Sequence, residues 1–158
     1  MNDDLLSRHH AELDQRVATL LTTSDGGDCH ELANAWGLFE RELLRHFELE
    51  EEHLFRGYAL ERPEEVTALK QEHEALRRDL LALGIRADLH CLRAEAVKGF
   101  IAELRAHAAR EEEALYRWAK THVDGDTWST LAHRLREARE TVTKRLADDL
   151  SRLGARSL

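Results

Sequence analysis

The sequence predicts an all-α protein, an up-and-down antiparallel four-helix bundle with an additional C-terminal helix. Of the 158 residues, 42% are hydrophobic and 34% are charged, while Pro occurs once and Gly eight times. This balance favours long helices over a β-sandwich or a disordered chain. Apolar residues recur at helical spacing in five stretches with short connections, which makes consecutive helices antiparallel neighbours. We expect one domain over residues 1–158, with the bundle at about 3–122 and the extra helix at about 126–153.

The first two helices are predicted on either side of a glycine-containing turn. The first covers about residues 3–23, and its apolar residues, such as Leu13, repeat with helical spacing. The Ser-Asp-Gly-Gly-Asp segment at residues 24–28 is a strong turn signal that ends this helix. The second helix covers about residues 29–60 and has an apolar stripe that includes Trp36.

The other three helices follow the single proline. Pro63 fits the first position of a third helix, which we expect Gly84 to end. Asp88 is a plausible N-cap for a fourth helix that continues to about His122. The fifth helix follows the Asp-Gly-Asp turn at residues 124–126 and carries an apolar stripe. This stripe either covers the bundle or forms a dimer interface.

One helical pattern occurs twice in the chain. Residues 45–56 align with residues 106–117 through the shared pattern H-x-x-x-E-E-E-x-L-[F/Y]-R. The first and third helices also match, around His10 and His73. The protein is therefore predicted to use one helical hairpin twice. Two such hairpins, related by a pseudo-two-fold axis, would bring four His-bearing faces together.

Six polar residues occupy the core-facing sides of the four bundle helices. Four residues of an α-helix turn through about 400°, so His46 and Glu50 share one face, and so do His107 and Glu111. A buried carboxylate costs several kcal/mol unless a cation or partner compensates it, and one or two divalent metals would satisfy all six groups. Imidazole with carboxylate suits iron, manganese or zinc. The candidate metal ligands are His10, His46, Glu50, His73, His107 and Glu111.

The order H…HxxxE…H…HxxxE resembles the hemerythrin-like, or HHE cation-binding, domain family. The residues that carry the resemblance lie between about residues 5 and 120 and include the six candidates. The resemblance implies a non-haem centre of two iron ions, with manganese or zinc as alternatives. Glu50 and Glu111 would bridge the irons, often with an oxo or hydroxo group. The four histidines would be terminal ligands.

Two departures separate this chain from the oxygen-carrying members of that family. Those members place a second His four residues after the third-helix ligand, where this chain has Arg77. Their fourth helix carries His-x-x-x-x-Asp, whereas this chain has His107-x-x-x-Glu111. The ligand set is closer to that of the iron–sulfur-cluster repair proteins of the same superfamily. Those commonly carry a small N-terminal Cys-containing domain, for which His10 comes too early.

Several neighbouring residues have alternative interpretations. His9 competes with His10 for the first ligand position, and we favour His10 because the repeat aligns His9 with Glu72. Asp14 and Arg77 occupy equivalent places in the repeat, so they are either an ion pair that gates an open position or two unrelated charges. His53 lies two turns from His46 on the same face, where we favour a structural role over ligation.

The aromatic and acidic residues near the repeat are also open to two interpretations. Tyr58 and Tyr116 are either core or rim aromatics, which we favour, or side chains that are redox-active or donate a hydrogen bond to an iron-bound oxygen. The acidic pairs after the bridging carboxylates are expected to be mostly solvated, with one member of each pair as a candidate to orient a ligand imidazole. These pairs are Glu51–Glu52 and Glu112–Glu113.

The expected function is binding of a small diatomic molecule or oxidant, namely O2, NO or peroxide, for sensing, scavenging, storage or stress response. The sequence contains no recognisable nucleophile or general base, so we favour a binding protein over an enzyme. The alternatives are a di-iron oxidoreductase, peroxidase-like or iron–sulfur repair-like activity, and a metal-handling or structural interaction module.

Charge and apolar patterning limit the possible partners. The net charge of −8 opposes nucleic-acid binding, and no apolar run is long enough to span a membrane. Two cysteines and an acidic N-terminus without a signal-peptide layout favour the cytoplasm. We expect a monomer or a homodimer.

Overall fold

The computed structural model describes residues 4–24, 29–89 and 92–154, and none of these forms a β-strand. Residues 25–28 of the predicted turn at 24–28, and residues 90 and 91, lie outside the described residues. The all-α prediction is confirmed. The helices are α1 (Leu5–Ser24), α2 (Cys29–Glu50), α3 (Arg56–Tyr58), α4 (Pro63–Asp88), α5 (Ala94–Glu113), α6 (Leu115–His122) and α7 (Gly125–Gly154).

Four long helices form a closed ring. Helix α1 contacts α2 and α5, and α4 contacts the same two helices on the other side. The added helix, α7, lies against α2 and buries Trp128, Leu131 and Leu135 in the bundle. The first half of α7 therefore covers the bundle, as one of the two predicted alternatives proposed. No helix in the described part of the chain is both long enough and apolar enough to cross a membrane.

The third bundle helix does not end at Gly84, so that prediction is wrong. Helix α4 continues through Gly84 to Asp88. A Cβ on Gly84 would lie 2.9 Å from the Glu40 carboxylate and 3.1 Å from Trp36 Nε1. The absent side chain therefore lets α2 approach α4 closely, and this packing offsets the cost of about 1 kcal/mol for glycine inside a helix.

The prediction that Asp88 caps the next helix is also wrong. Asp88 is the last residue of α4, and α5 begins at Ala94 after an extended Arg93. An aspartate near a helix boundary fits the end of one helix as readily as the start of another when only five residues join them. Because α4 extends past Gly84, α5 also begins later than the sequence predicts.

Both H-x-x-x-E helices are interrupted just after the repeated glutamates. A π-helical turn, Glu51–Phe55, follows α2, and Ala114 breaks the chain between α5 and α6. Each predicted continuous helix is therefore two segments. No Pro or Gly marks either point, so local propensity could not reveal them. Single π-helical turns are frequent at functional sites, and the turn at Glu51–Phe55 directly follows Glu50.

The buried interior consists of two apolar clusters with a polar layer between them. One cluster includes Leu13, Leu43 and Leu76, and the other includes Leu6 and Leu69. Helices α1, α2 and α4 contribute residues to both clusters, whereas α5 contributes to the first and α6, which follows it, to the second. The predicted His and Glu residues lie at the intermediate positions, so the fold places them in the middle of the bundle.

Candidate metal centre

The structure brings all six predicted ligands together in the polar layer. Five are buried, and the side chain of His10 is only 13% exposed. Their donor atoms form two groups, each with all members within 4.8 Å of one another. We call the group from His10, His46, Glu50 and Glu111 half-site A, and the group from His73, His107 and Glu111 half-site B.

Both carboxylates extend between the half-sites. Glu50 places Oε1 3.2 Å from His46 Nε2 and Oε2 3.5 Å from His73 Nε2. Glu111 places Oε2 3.4 Å from His10 Nε2, and its Oε1 lies 3.0 Å from His107 and 3.2 Å from His73. Each carboxylate thus directs one oxygen to each half-site, which is the arrangement needed to bridge two cations.

Each of the four imidazoles turns Nε2 to the centre and Nδ1 to an outer partner. Such partners fix the ring orientation and the tautomer of a metal-binding histidine. Three outer partners are carboxylates and the fourth is another imidazole. The pairs, with their distances from Nδ1, are His10–Glu112 (3.3 Å), His46–His9 (2.8 Å), His73–Glu51 (2.7 Å) and His107–Glu72 (2.7 Å).

Glu51 and Glu112 are the members of the two acidic pairs that contact imidazoles, as expected for one member of each. Sequence reasoning missed the same role for Glu72 and His9. A signal was present, because the repeat aligns His9 with Glu72 and each contacts the histidine of the next H-x-x-x-E helix. His9 is therefore buried beside the centre as the outer partner of His46, while His10 faces the carboxylates.

Tyr116 also reaches the centre, from the start of α6. Its hydroxyl donates a hydrogen bond to Glu50 Oε1 and lies 3.0 Å from His10 Nε2 and 3.2 Å from His46 Nε2. The Tyr116 ring stacks on His10, with ring centroids 5.1 Å apart. Tyr58 instead packs on Trp118 and does not contact the cluster.

Of the two alternatives for Asp14 and Arg77, the ion pair between them is wrong. Asp14 accepts a hydrogen bond from Arg105 at 2.6 Å, and Arg77 donates one to Glu51 at 2.8 Å. The reason is the order of the helices in the ring, since Asp14 on α1 faces α5 whereas Arg77 on α4 faces α2. The repeat relates the two positions to each other and places them on opposite sides of the bundle.

His53 belongs to neither donor group. Its imidazole lies in the π-helical turn, where Nε2 is 3.8 Å from the Glu52 carboxylate and has no hydrogen-bond partner among the described residues. This position agrees with the structural role favoured for His53.

The charges of the cluster favour ionised carboxylates and raise the pKa of three imidazoles, those of His10, His73 and His107. Burial favours the neutral acids, but the surrounding imidazoles hold the pKa of Glu50 below its usual value and that of Glu111 well below it. Burial also opposes protonation of the histidines. Nevertheless the carboxylates, Glu111 foremost, raise the pKa of His10 to about 9 and that of His73 to about 10. The centre is therefore an anionic pair neutralised by protons.

A metal cation fits this donor set. Among the described residues, Glu50 Oε2, Glu111 Oε2 and His107 Nε2 are buried at the centre without a hydrogen-bond partner. Unpaired buried polar atoms are costly, and a cation between the half-sites would satisfy all three. Imidazole nitrogens with carboxylate oxygens are donors for iron, manganese and zinc.

A cavity of about 360 Å³ adjoins the centre between α1, α2 and α5. Imidazoles of His10, His46 and His107 form part of its wall, and Asp14 and Arg105 stand at its solvent side. The other lining residues are mostly apolar, namely Ala11, Leu13, Val17, Leu43, Phe47, Ile101, Leu104 and Ala108.

The repeat explains why the cavity lies on this side. Ala108 occupies the position that Phe47 has in the other hairpin. Phe47 stacks on His73 with ring centroids 4.1 Å apart, whereas Ala108 lines the cavity. The small side chain leaves open, between α1 and α5, the space that a phenyl ring fills between α2 and α4.

Comparison with known families agrees with this geometry. The family model of the hemerythrin HHE cation binding domain matches residues 1–119, which is 119 of the 158 residues and includes every member of both half-sites. No curated protein and no solved structure gives a significant match. Because the family match covers most of the chain, this protein belongs to the hemerythrin HHE cation-binding domain family.

Proposed function

We propose that this protein is a non-haem di-iron protein that binds a small diatomic molecule or oxidant, namely O2, NO or peroxide. Its role would be sensing, scavenging, storage or stress response in the cytoplasm. The observation that carries the proposal is the pair of half-sites spanned by Glu50 and Glu111. Two carboxylates that each face two groups of imidazoles match the requirements of two cations.

The chain's residues would have distinct tasks. His10 and His46 would hold one ion, His73 and His107 the other, and the two carboxylates would supply anionic charge to both. The outer partners would keep each Nε2 directed inward. Iron in such a site supplies redox chemistry and an open position for a small ligand.

The cavity supports a small neutral ligand. Its walls are largely apolar and three of the candidate imidazoles border it, so an uncharged molecule can approach the ions without losing hydrogen bonds to water. The Asp14–Arg105 pair at its solvent side is half-exposed on both partners and would not block a diatomic molecule.

Metal content per chain tests the first half of this proposal. We expect about two irons per chain in the wild type after anaerobic reconstitution with ferrous iron. Glu50→Ala and Glu111→Ala should each lose most of it. Glu113→Ala is the matched control, because Glu113 follows the same repeat but is exposed. A wild type without stoichiometric metal would remove the basis of the proposal.

Closing the cavity tests the second half. Ala108→Phe introduces the ring that the other hairpin carries at Phe47, and it should slow the change that NO produces in the iron spectrum. Iron content should stay the same. Ala109→Phe is the control, because Ala109 is exposed. Equal NO kinetics in both variants would show that ligands do not use this cavity.

A second candidate function is a peroxidase-like or related di-iron oxidoreductase activity. The observation that favours it is the cavity volume of about 360 Å³, which falls within the range of about 300–1,000 Å³ for pockets that hold small organic ligands. Steady turnover of a reductant with an organic hydroperoxide would support this candidate. A stable adduct without turnover would favour the binding role.

A further inference from the structure

The hydroxyl of Tyr116 lies among the inward-facing donors of half-site A. It contacts Glu50 Oε1, and it is 3.0 Å from His10 Nε2 and 3.2 Å from His46 Nε2. The side chain is 2% exposed. The other described tyrosine, Tyr58, lies outside this layer.

These separations are those of donors that share one metal ion. Metal–nitrogen and metal–oxygen bonds in such sites are about 2.1 Å long, so two donors at right angles around one ion are about 3.0 Å apart. The imidazoles of His10 and His46 meet the same criterion, with 2.9 Å between their Nε2 atoms. Tyr116 Oη completes a compact set with the donors of half-site A.

We infer that Tyr116 is a fifth protein ligand of the cation in half-site A, bound through its phenolate oxygen. The inference rests on the proposed function, because it requires that the half-sites hold metal. On ligation the O–H bond is replaced by a metal–oxygen bond, and the proton leaves to solvent. Neither the sequence pattern of the six ligands nor the family match assigns this role to Tyr116.

The metal-free phenol has a different role, as a hydrogen-bond donor to Glu50. Burial, reinforced by the charges of Glu50 and Glu111, keeps the pKa of Tyr116 well above its usual value, so the phenol holds its proton while no cation is present. A cation bound at the centre would instead favour the deprotonated phenolate.

The two hairpins carry an aromatic ring at the same position, and the phenol oxygen of Tyr116 is the difference between them. Phe55 is the repeat equivalent of Tyr116, and its ring stacks on His73 at 5.2 Å as the Tyr116 ring stacks on His10 at 5.1 Å. The ring has the same packing role in both halves. The hydroxyl is the added feature, and it faces the donors of half-site A.

The outer partners of the imidazoles also support ligation by Tyr116. In half-site B both imidazoles have carboxylate partners, Glu51 and Glu72. In half-site A the partner of His46 is another imidazole, that of His9, in the place of a carboxylate. Half-site A therefore has one outer anion fewer, and the Tyr116 phenolate would supply an inner one.

The ferric protein provides the test, since a phenolate bound to ferric iron gives a visible charge-transfer band and tyrosinate ring modes in resonance Raman spectra. We expect both signals in the reconstituted, oxidised wild type and in Tyr58→Phe, and their complete loss in Tyr116→Phe. Iron per chain is measured on the same samples. Phe55 shows that a phenyl ring packs at this kind of position, and circular dichroism checks that Tyr116→Phe is folded.

The outcomes separate this inference from the proposed function. If the wild type binds two irons per chain but lacks the tyrosinate signals, or keeps them in Tyr116→Phe, the phenolate assignment is wrong while the di-iron proposal stands. If the wild type binds no iron, both are wrong. A double variant, Tyr116→Phe with Phe55→Tyr, should regain the signals if position alone makes the phenol a ligand. Should Tyr116→Phe prove unfolded, absence of the signals from the ferric wild type would still overturn the assignment.

Discussion

The outer partner of His73 offers a sharp test of how the protein holds its metal. Glu51 Oε1 lies 2.7 Å from His73 Nδ1 and accepts a second hydrogen bond from Arg77 at 2.8 Å. Replacing Glu51 with Gln keeps the size of the side chain and removes its charge. Loss of an outer partner typically lowers metal affinity about 10- to 100-fold, and Gln retains an acceptor, so we expect a decrease of about tenfold, or about 1.4 kcal/mol.

The same substitution should have little effect on the metal-free fold. The side chains of Glu51 and Arg77 are each 30% exposed, and ion pairs at this exposure contribute less than about 1 kcal/mol after solvent screening. The substitution thus separates metal affinity from stability. A purely structural role for Glu51 would change the melting temperature of the metal-free protein at least as much as the affinity.

Competition with a chromogenic chelator measures the affinity, and circular dichroism measures the melting temperature. Glu52→Gln is the matched control, because the neighbouring Glu52 is exposed and, among the described residues, pairs only with His53, at 3.8 Å. Its affinity should equal that of the wild type. An affinity of Glu51→Gln within twofold of the wild type would refute the assignment of Glu51 as the group that orients His73.

Three other perturbations have defined outcomes. Because the metal-free pKa values of His10 and His73 are raised above 6.5 to about 9 and about 10, metal must displace a proton from each imidazole at neutral pH, and ligation by Tyr116 releases its phenol proton as well. Affinity should therefore rise with pH between pH 7 and 9; an affinity independent of pH in titrations would contradict this. Chelation should lower the melting temperature, since each ion at 100 times its Kd stabilises the fold by about 2.7 kcal/mol. Gly57→Ala places a Cβ 2.8 Å from Trp118 and should cost about 1–3 kcal/mol from overpacking, seen in thermal melts, whereas Gly99→Ala, with open space around it, should be neutral or stabilising.

The candidate centre could be predicted because its information is local and repeated. The i, i+4 spacing of His46 and Glu50 fixes their common face in any α-helix. The same spacing at His107 and Glu111 argues against a chance pairing of His and Glu. The positions of His10 and His73 follow from the same repeat. No knowledge of loop geometry or helix order is needed for any of these residues.

Predictions that depended on helix order or backbone irregularity failed. The partner of Asp14 depends on which helix lies beside α1, and the repeat does not predict which helix that is. Tyr116, which contacts Glu50, lies just after the break at Ala114, which no Pro or Gly signals. The sequence alone predicts a helix end at Gly84, because the close contact with Trp36 of α2 that requires a glycine there is apparent only in the folded structure.

The departures from two-fold symmetry indicate that the two half-sites have different roles. His73 in half-site B has phenyl rings stacked on it, from Phe47 and Phe55, and carboxylate partners support both imidazoles of that half. In half-site A the corresponding positions are Ala108, which lines the cavity, and Tyr116, which adds a donor.

An ion in half-site B would therefore be enclosed by aromatic groups, whereas an ion in half-site A would have the cavity beside it. Five protein residues, counting Tyr116, would hold the ion in half-site A, next to the cavity. We therefore expect exogenous ligands to bind at half-site A and half-site B to serve mainly as the fixed partner. Ala108→Phe should then reduce NO binding, while Phe47→Ala, which removes a ring from the other side, should not increase it.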